Sequence, residues 1–168
     1  MIENIVYRIF VFCICVTLSS ICFLGINKIT NSPAYIHPEF KSFLSSFIAD
    51  AEHYKVPLDI SNLTIVFSLT GRSATGTVAF CLPGSKTIIV YPDYWQILSP
   101  SIKKALIYHE AGHCLLKREH TEDRLSSFAF CPISIMYPTI DVIESCYTQL
   151  ESSYIEELFV NPYNYKTF

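Results

Sequence analysis

The stretch ALIYHEAGHCLLKREH, residues 105–120, decides how this sequence is interpreted. It contains two histidines four positions apart, His109 and His113, with Glu110 directly after the first. On an α-helix this spacing corresponds to about 400° of rotation and about 6 Å of rise, so both imidazoles lie on one face. Two imidazoles so arranged can bind one tetrahedral Zn²⁺ ion. The pattern therefore predicts a metal site on a helix.

The residues around the motif favour a helix in the required position. Ser99 and Pro100 predict its start, because a serine hydroxyl can cap the first turn and proline fits the first helical position. Glu110 would stand beside the metal, where a carboxylate can accept a proton from a zinc-activated water. The side chains expected on the buried side of this helix are Ile102, Ala105, Leu106 and Leu116.

A third histidine, His120, follows seven positions after His113. If the helix continued through it, His120 would lie about 700° further round and about 10 Å further along the axis, too far to share the metal. We therefore predict that the helix ends between Cys114 and Glu119, so that His120 can return to the site as a third ligand.

Further along the chain, residues 134–138 read SIMYP. Together with HEAGHCLLKREH, this string resembles the metzincin clan of zinc endopeptidases, in which HExxHxxGxxH precedes a Met-turn that forms an apolar floor beneath the metal. The cysteine directly after the second histidine, with CPISIMYP downstream, is similar to small bacterial matrixin-like metallopeptidases. The resemblance covers residues 99 to about 138. It implies the zinc ligands His109, His113 and His120, the general base Glu110 and the floor residue Met136.

The chain departs from the clan pattern between its second and third histidines, where it has one extra residue and no glycine. A left-handed conformation at any of residues 116–118 costs about 1–2 kcal/mol. The extra residue can nevertheless give the loop the conformational freedom that glycine otherwise provides. As an alternative, His120 is a surface histidine and Glu144 or Glu151 completes a His-His-Glu set. For Met136 the alternative is an ordinary core methionine.

The N-terminus differs in composition from the rest of the chain. Residues 9–26, IFVFCICVTLSSICFLGI, carry no charge, and a helix of this length rises about 27 Å, enough for a hydrocarbon core. We predict a signal peptide or uncleaved signal anchor over residues 1–26, a linker over 27–37 and the metallopeptidase domain over 38–168. The domain would be exported, membrane-anchored outside the cytoplasm, or secreted or periplasmic after cleavage. A buried helix of the domain is the alternative for the apolar segment.

Four cysteines lie beyond the apolar segment, and their number favours two disulfides in an exported domain. Three connectivities are possible. Cys131 and Cys146 are close enough in sequence to form a disulfide across the Met-turn loop, which would leave Cys81 to pair with Cys114. The sequence alone does not decide between the connectivities. The alternatives are four buried thiols, or a Cys114 thiolate that competes for zinc.

The remaining patterns predict an α+β fold with a small mixed β-sheet of about three strands. An N-terminal amphipathic helix begins at Pro38, strands cover residues 63–69, 77–82 and 87–91, and a C-terminal helix covers 147–160. The active-site helix lies between the sheet and the C-terminal helix. The residues predicted on the apolar face of the first helix are Phe40, Phe43, Leu44, Phe47, Ile48 and Ala51.

Composition limits the class of partner. The 168 residues are 51% hydrophobic, enough for a core, and a net charge of −3 without a basic stripe excludes nucleic acid as an expected partner. We expect a zinc endopeptidase that acts on peptides or proteins, held as extended chains at the upper sheet edge. A non-catalytic exported module that retains zinc, or only the fold, is the alternative.

Overall fold

The computed structural model of the protein describes residues 34–125 and 130–160. These residues form a small mixed four-stranded sheet and several helices, which confirms the predicted α+β class. The predicted signal peptide or signal anchor, residues 1–26, and residues 27–33 of the predicted linker lie outside the described residues. Within the described ranges, no helix combines the length and the apolar character needed to cross a bilayer.

The sheet has the strand order β1-β2-β4-β3. The β1–β2 and β2–β4 pairs are parallel, whereas β3 pairs antiparallel with β4 and forms one edge of the described sheet. The first strand falls within the predicted linker and is only two residues long, too short for a readable alternation. The four strands are β1 (Tyr35–Ile36), β2 (Thr64–Phe67), β3 (Ala79–Leu82) and β4 (Thr87–Val90).

Four α-helices complete the described domain: α1 (Lys41–His53), α2 (Pro92–Ile97), α3 (Pro100–Leu116) and α4 (Ile140–Val160). A 3₁₀ turn at Pro38–Phe40 precedes α1. The short helix α2 has no counterpart in the sequence predictions, and α4 begins seven residues before the predicted position 147. The short helix α2 was not readable from the sequence, because six residues are too few to establish a helical period. The earlier start of α4 did have a signal, since Ile140, Ile143 and Tyr147 stand at helical spacing, and the sequence prediction missed it.

The helix that carries the histidine motif, α3, lies at the centre of the core. As predicted, the Ser99 hydroxyl caps it by accepting a hydrogen bond from the backbone N–H of Ile102 at 3.4 Å. The helix packs against α1, α4 and the β3–β4 side of the sheet, so its side chains are buried on several faces. On the α1 side, the Tyr108 hydroxyl donates to Asp50 Oδ2 at 2.6 Å. The histidine motif therefore sits on a helix that is packed on several sides.

Two disulfides join the elements around this helix. Cys81 of β3 is bonded to Cys114 of α3, and Cys131 in the loop before α4 is bonded to Cys146 of α4. The pairing is one of the three that the sequence left open, and it is consistent with an oxidising, extracellular environment. It also excludes Cys114, in its disulfide form, as a competing thiolate ligand.

The Cys81–Cys114 disulfide closes a loop of 33 residues, so its removal increases the entropy of the unfolded chain. We expect the Cys81→Ala/Cys114→Ala variant to lose about 2–4 kcal/mol of unfolding free energy, measured by denaturant titration. The matched control, Cys131→Ala/Cys146→Ala, opens a loop of 15 residues and should lose less. Unchanged denaturation midpoints in both variants would contradict the predicted contribution.

Candidate metal centre

The end of α3 decides whether the third histidine reaches the site. The helix ends at Leu116, and Lys117 adopts a left-handed conformation with φ 57° and ψ 33°. The backbone N–H groups of Lys117 and Arg118 both donate to the carbonyl of Gly112, the latter at 3.0 Å. This reversal falls inside the interval predicted from the sequence, and it turns the chain back towards the motif.

The reversal brings three imidazole nitrogens together. The Nε2 atoms of His109 and His113 lie 3.1 Å apart, and His120 Nε2 lies 3.1 Å from the first and 3.0 Å from the second. Three nitrogens bound tetrahedrally to one zinc at ordinary bond lengths would be about 3.3 Å apart. The triangle is therefore close to the size that a metal requires, and the His109, His113 and His120 group could hold a metal ion.

The other ring nitrogens of the two helical histidines are held by backbone carbonyls. His109 Nδ1 lies 2.8 Å from the carbonyl oxygen of Ile135, and His113 Nδ1 lies 2.6 Å from that of Arg118. A carbonyl only accepts hydrogen bonds, so each Nδ1 carries the proton and donates it. Each Nε2 is then left with a lone pair, which is the form that binds a metal.

Desolvation disfavours the charged form of two of these imidazoles, His109 and His120. Burial in the core lowers the pKa of His109 to about 3, and burial followed by the charge of His113 lowers the pKa of His120. The Nε2 lone pairs of His109 and His113 converge with His120 Nε2 within about 3 Å, an arrangement that a cation between the three nitrogens would stabilise. The donor set therefore fits a cation that prefers neutral imidazole nitrogen, and zinc is one such ion.

Met136, the residue predicted to form the floor of the site, packs against α3 at Gly112. Its side chain is fully buried, and Gly112 is the residue that makes room for it. A Cβ atom at position 112 would lie 2.6 Å from Met136 Sδ and 3.2 Å from Leu158 Cδ1. The glycine in HEAGH is therefore required by close packing with the SIMYP turn.

Glu110 faces a cleft beside the three histidines. The residue is only 5% exposed, and burial raises the pKa of its carboxyl group to about 8, opposed by a hydrogen bond from the backbone of Cys81 on β3. The cleft has a volume of about 700 Å³ and runs between β3, α3 and the segment that follows Met136. Glu110 thus combines a buried carboxyl with access to the cleft that the histidines line.

The alternative third ligands do not join the histidines. Glu151 Oε1 lies 2.7 Å from Lys104 Nζ, and Glu144 is an exposed residue of α4. Among residues 34–125 and 130–160, the histidine triad is the one group of three or more metal-ligating side chains with converging ligand atoms. His120, rather than either glutamate, is therefore the third member of the group.

Sequence reasoning missed three residues behind the histidines: Arg118, Ser134 and Glu157. Glu157 is only 2% exposed, and it binds Arg118 and the hydroxyl of Ser134. One signal was present in the sequence, because Glu157 lies three residues after Tyr154 and directly before Leu158, two apolar residues at helical spacing in the predicted C-terminal helix. A carboxylate in such a stripe indicates a buried partner of opposite charge.

Comparisons with known proteins add no relative. The chain matches no protein-family model, and neither a curated protein nor a solved structure matches it significantly. The functional interpretation therefore depends on the geometry of the site and on the motif.

Metal binding should stabilise the folded chain, because the nitrogen triangle exists only in the folded state. At a zinc concentration 100-fold above Kd, we expect a gain of about 2.7 kcal/mol in unfolding free energy, visible as a higher Tm. The His120→Ala variant should lose most of this gain, since two histidines remain. His53→Ala removes an exposed histidine outside the site and should retain it. An equal zinc response of His120→Ala and the parent would remove His120 from the ligand set.

The close approach of Gly112 and Met136 predicts a steric effect. We expect Gly112→Ala to lower the unfolding free energy by about 1–3 kcal/mol, because the added methyl group overlaps Met136 Sδ. Gly84→Ala is the control, since no atom lies within 4 Å of a Cβ at that position. Denaturant titration compares the two variants. A Gly112→Ala variant as stable as Gly84→Ala would contradict the packing.

Proposed function

We propose that the protein is an exported, zinc-dependent endopeptidase similar to the metzincins. The observation that carries the proposal is the convergence of three Nε2 atoms within 3.0–3.1 Å beside the buried carboxyl of Glu110. An open cleft adjoins this group, so a substrate could reach it. The SIMYP turn under the histidines adds support, because Met136 contacts the helix that carries the motif.

The edge of β3 could bind an extended peptide through backbone hydrogen bonds. The Tyr91 N–H donates to the Val78 carbonyl at 2.9 Å, so hydrogen bonding alternates along β3 from that residue. By this alternation the backbone groups of Ala79 and Cys81 point away from β4, and both residues line the cleft. Because the Cys81 N–H donates to Glu110, a peptide would pair with the N–H and carbonyl of Ala79 and with the carbonyl of Cys81. A peptide could add to this edge as another strand, with its scissile bond near the histidines. The supported substrate class is therefore an extended peptide or protein segment.

In the proposed reaction, metal binding and proton transfer fall to different residues of the chain. When bound, zinc supplies a Lewis acid that polarises a carbonyl and makes water nucleophilic near neutral pH. His109, His113 and His120 would hold it, since their Nε2 lone pairs converge. Glu110 would accept the proton of the attacking water and pass it to the leaving amine. The Cys81 backbone, which hydrogen-bonds this carboxyl, would keep it in place between turnovers.

Export is proposed on two grounds. The four cysteines beyond the N-terminal apolar stretch form two disulfides, and such bonds persist mainly in oxidising compartments. The apolar stretch itself, residues 9–26, has the composition of a signal peptide or signal anchor. We therefore assign the domain to the outer side of a membrane, tethered or released.

Replacement of Glu110 separates the enzyme from a non-catalytic zinc-binding module. In Glu110→Gln we expect zinc binding to persist, while kcat/KM for peptide cleavage falls by about 10²- to 10⁴-fold, because only the proton acceptor is removed. The control is Glu119→Gln, an exposed glutamate that also lines the cleft, and it should retain activity. The assay is cleavage of a broad peptide library by the zinc-loaded full chain.

Two results would count against the proposal. If the zinc-loaded parent cleaves no peptide in the library, the module without catalysis is favoured. If Glu110→Gln and the parent cleave equally well, Glu110 is not the general base.

A further inference from the structure

A buried carboxylate lies directly behind the histidine triad. Glu157, in the last turn of α4, is 2% exposed and has both carboxylate oxygens engaged. Oε1 accepts a hydrogen bond from Arg118 Nη2, and Oε2 accepts one from the hydroxyl of Ser134. These partners come from the loop after α3 and from the SIMYP turn, so one side chain joins two separate segments to α4.

The first connection leads to His113. The Arg118 side chain is 12% exposed, and besides Glu157 it donates from Nη1 to the carbonyl of Leu158 at 2.9 Å. A guanidinium held at two points in this way restricts the backbone of its own residue. The carbonyl of Arg118 is the group that accepts the Nδ1 proton of His113. Glu157 therefore acts on His113 through the main chain of Arg118.

The second connection leads to His109. The Ser134 hydroxyl donates to Glu157 and accepts a hydrogen bond from the Met136 N–H at 3.0 Å. These two bonds fix the turn on either side of Ile135, whose carbonyl accepts the Nδ1 proton of His109. The two segments also contact each other, since the Thr121 N–H donates to the Met136 carbonyl at 3.1 Å.

We propose that Glu157 is the positioning residue of the metal site, which orients both helical histidines by holding the two carbonyls that bind their Nδ1 protons. The inference rests on the metal-binding part of the proposed function and is independent of peptide cleavage. Stability alone gives a poor reason for the arrangement, because a buried ion pair can often be replaced by apolar residues without loss. Outer partners of ligating histidines, in contrast, set the tautomer and direction of the ring.

The test uses the full chain in detergent micelles with its disulfides intact. Zinc affinity is measured by competition with a chromogenic chelator. The tautomers of His109 and His113 are read from ¹⁵N NMR of the metal-free protein. Glu157→Gln is compared with Glu151→Gln, which removes the charge of another α4 glutamate paired with α3, at Lys104.

A further variant separates positioning from stability. Arg118→Met/Glu157→Leu removes both buried charges together, so its unfolding free energy should exceed that of Glu157→Gln, in which the arginine lacks its carboxylate. The backbone carbonyl of Arg118 is still present in this double variant, but the contacts that fix its direction are absent.

We expect zinc affinity to fall by about 10- to 100-fold in Glu157→Gln and to remain low in the double variant. Both helical histidines should then populate a mixture of tautomers, while Glu151→Gln retains the parent's affinity and single tautomers. If Glu157→Gln does not fold, the double variant decides by the same criteria.

The inference is overturned if Glu157→Gln binds zinc as tightly as the parent, or if the double variant regains full affinity along with its stability. A parent that binds no zinc overturns both this inference and the proposed function. A parent that binds zinc but cleaves no peptide overturns only the peptidase assignment.

Discussion

The candidate metal site depends on one backbone constraint, the left-handed conformation of Lys117. Without it α3 would continue, and His120 would lie about 10 Å from His113 along the axis. With it, their Nε2 atoms are 3.0 Å apart. Lysine lacks the conformational freedom of glycine, so the turn has to be held by its surroundings. Two hydrogen bonds to the Gly112 carbonyl and the ion pair of Arg118 with Glu157 supply that support.

The burial of α3 governs the electrostatics of the site. The same low-dielectric surroundings disfavour the charged form of each titratable group, so they lower the pKa of His109 and raise that of Glu110. A neutral imidazole is ready to bind a metal, while a protonated carboxyl cannot accept a proton. A cation at the three nitrogens would favour the ionised form of the nearby Glu110. Metal binding and base function are therefore physically linked in the proposed enzyme.

The long helices were predicted from their sequence patterns, whereas the shortest helix and the shortest strand were not predicted. The apolar face of α1 is buried at Leu44, Phe47 and Ala51 as expected, and the cap of α3 is formed by Ser99. In contrast, β1 has two residues and α2 has six, lengths at which no period can be read. The sheet consequently has four strands rather than about three. The start of α4 was placed seven residues too late, although Ile140, Ile143 and Tyr147 stand at helical spacing.

The sequence by itself determined that His109, Glu110 and His113 share one part of a helix. His109, Glu110 and His113 are positioned by the fixed pitch of an α-helix, a local property of consecutive residues. Only the tertiary structure decided how His120 returns, how the four cysteines pair, and why Glu157 is buried. These features depend on contacts between residues far apart in the chain, and residue spacing carries little information about such contacts. The histidine motif on α3 can therefore be recognised from the sequence. The loop that brings His120 to the site and the burial of Glu157 cannot.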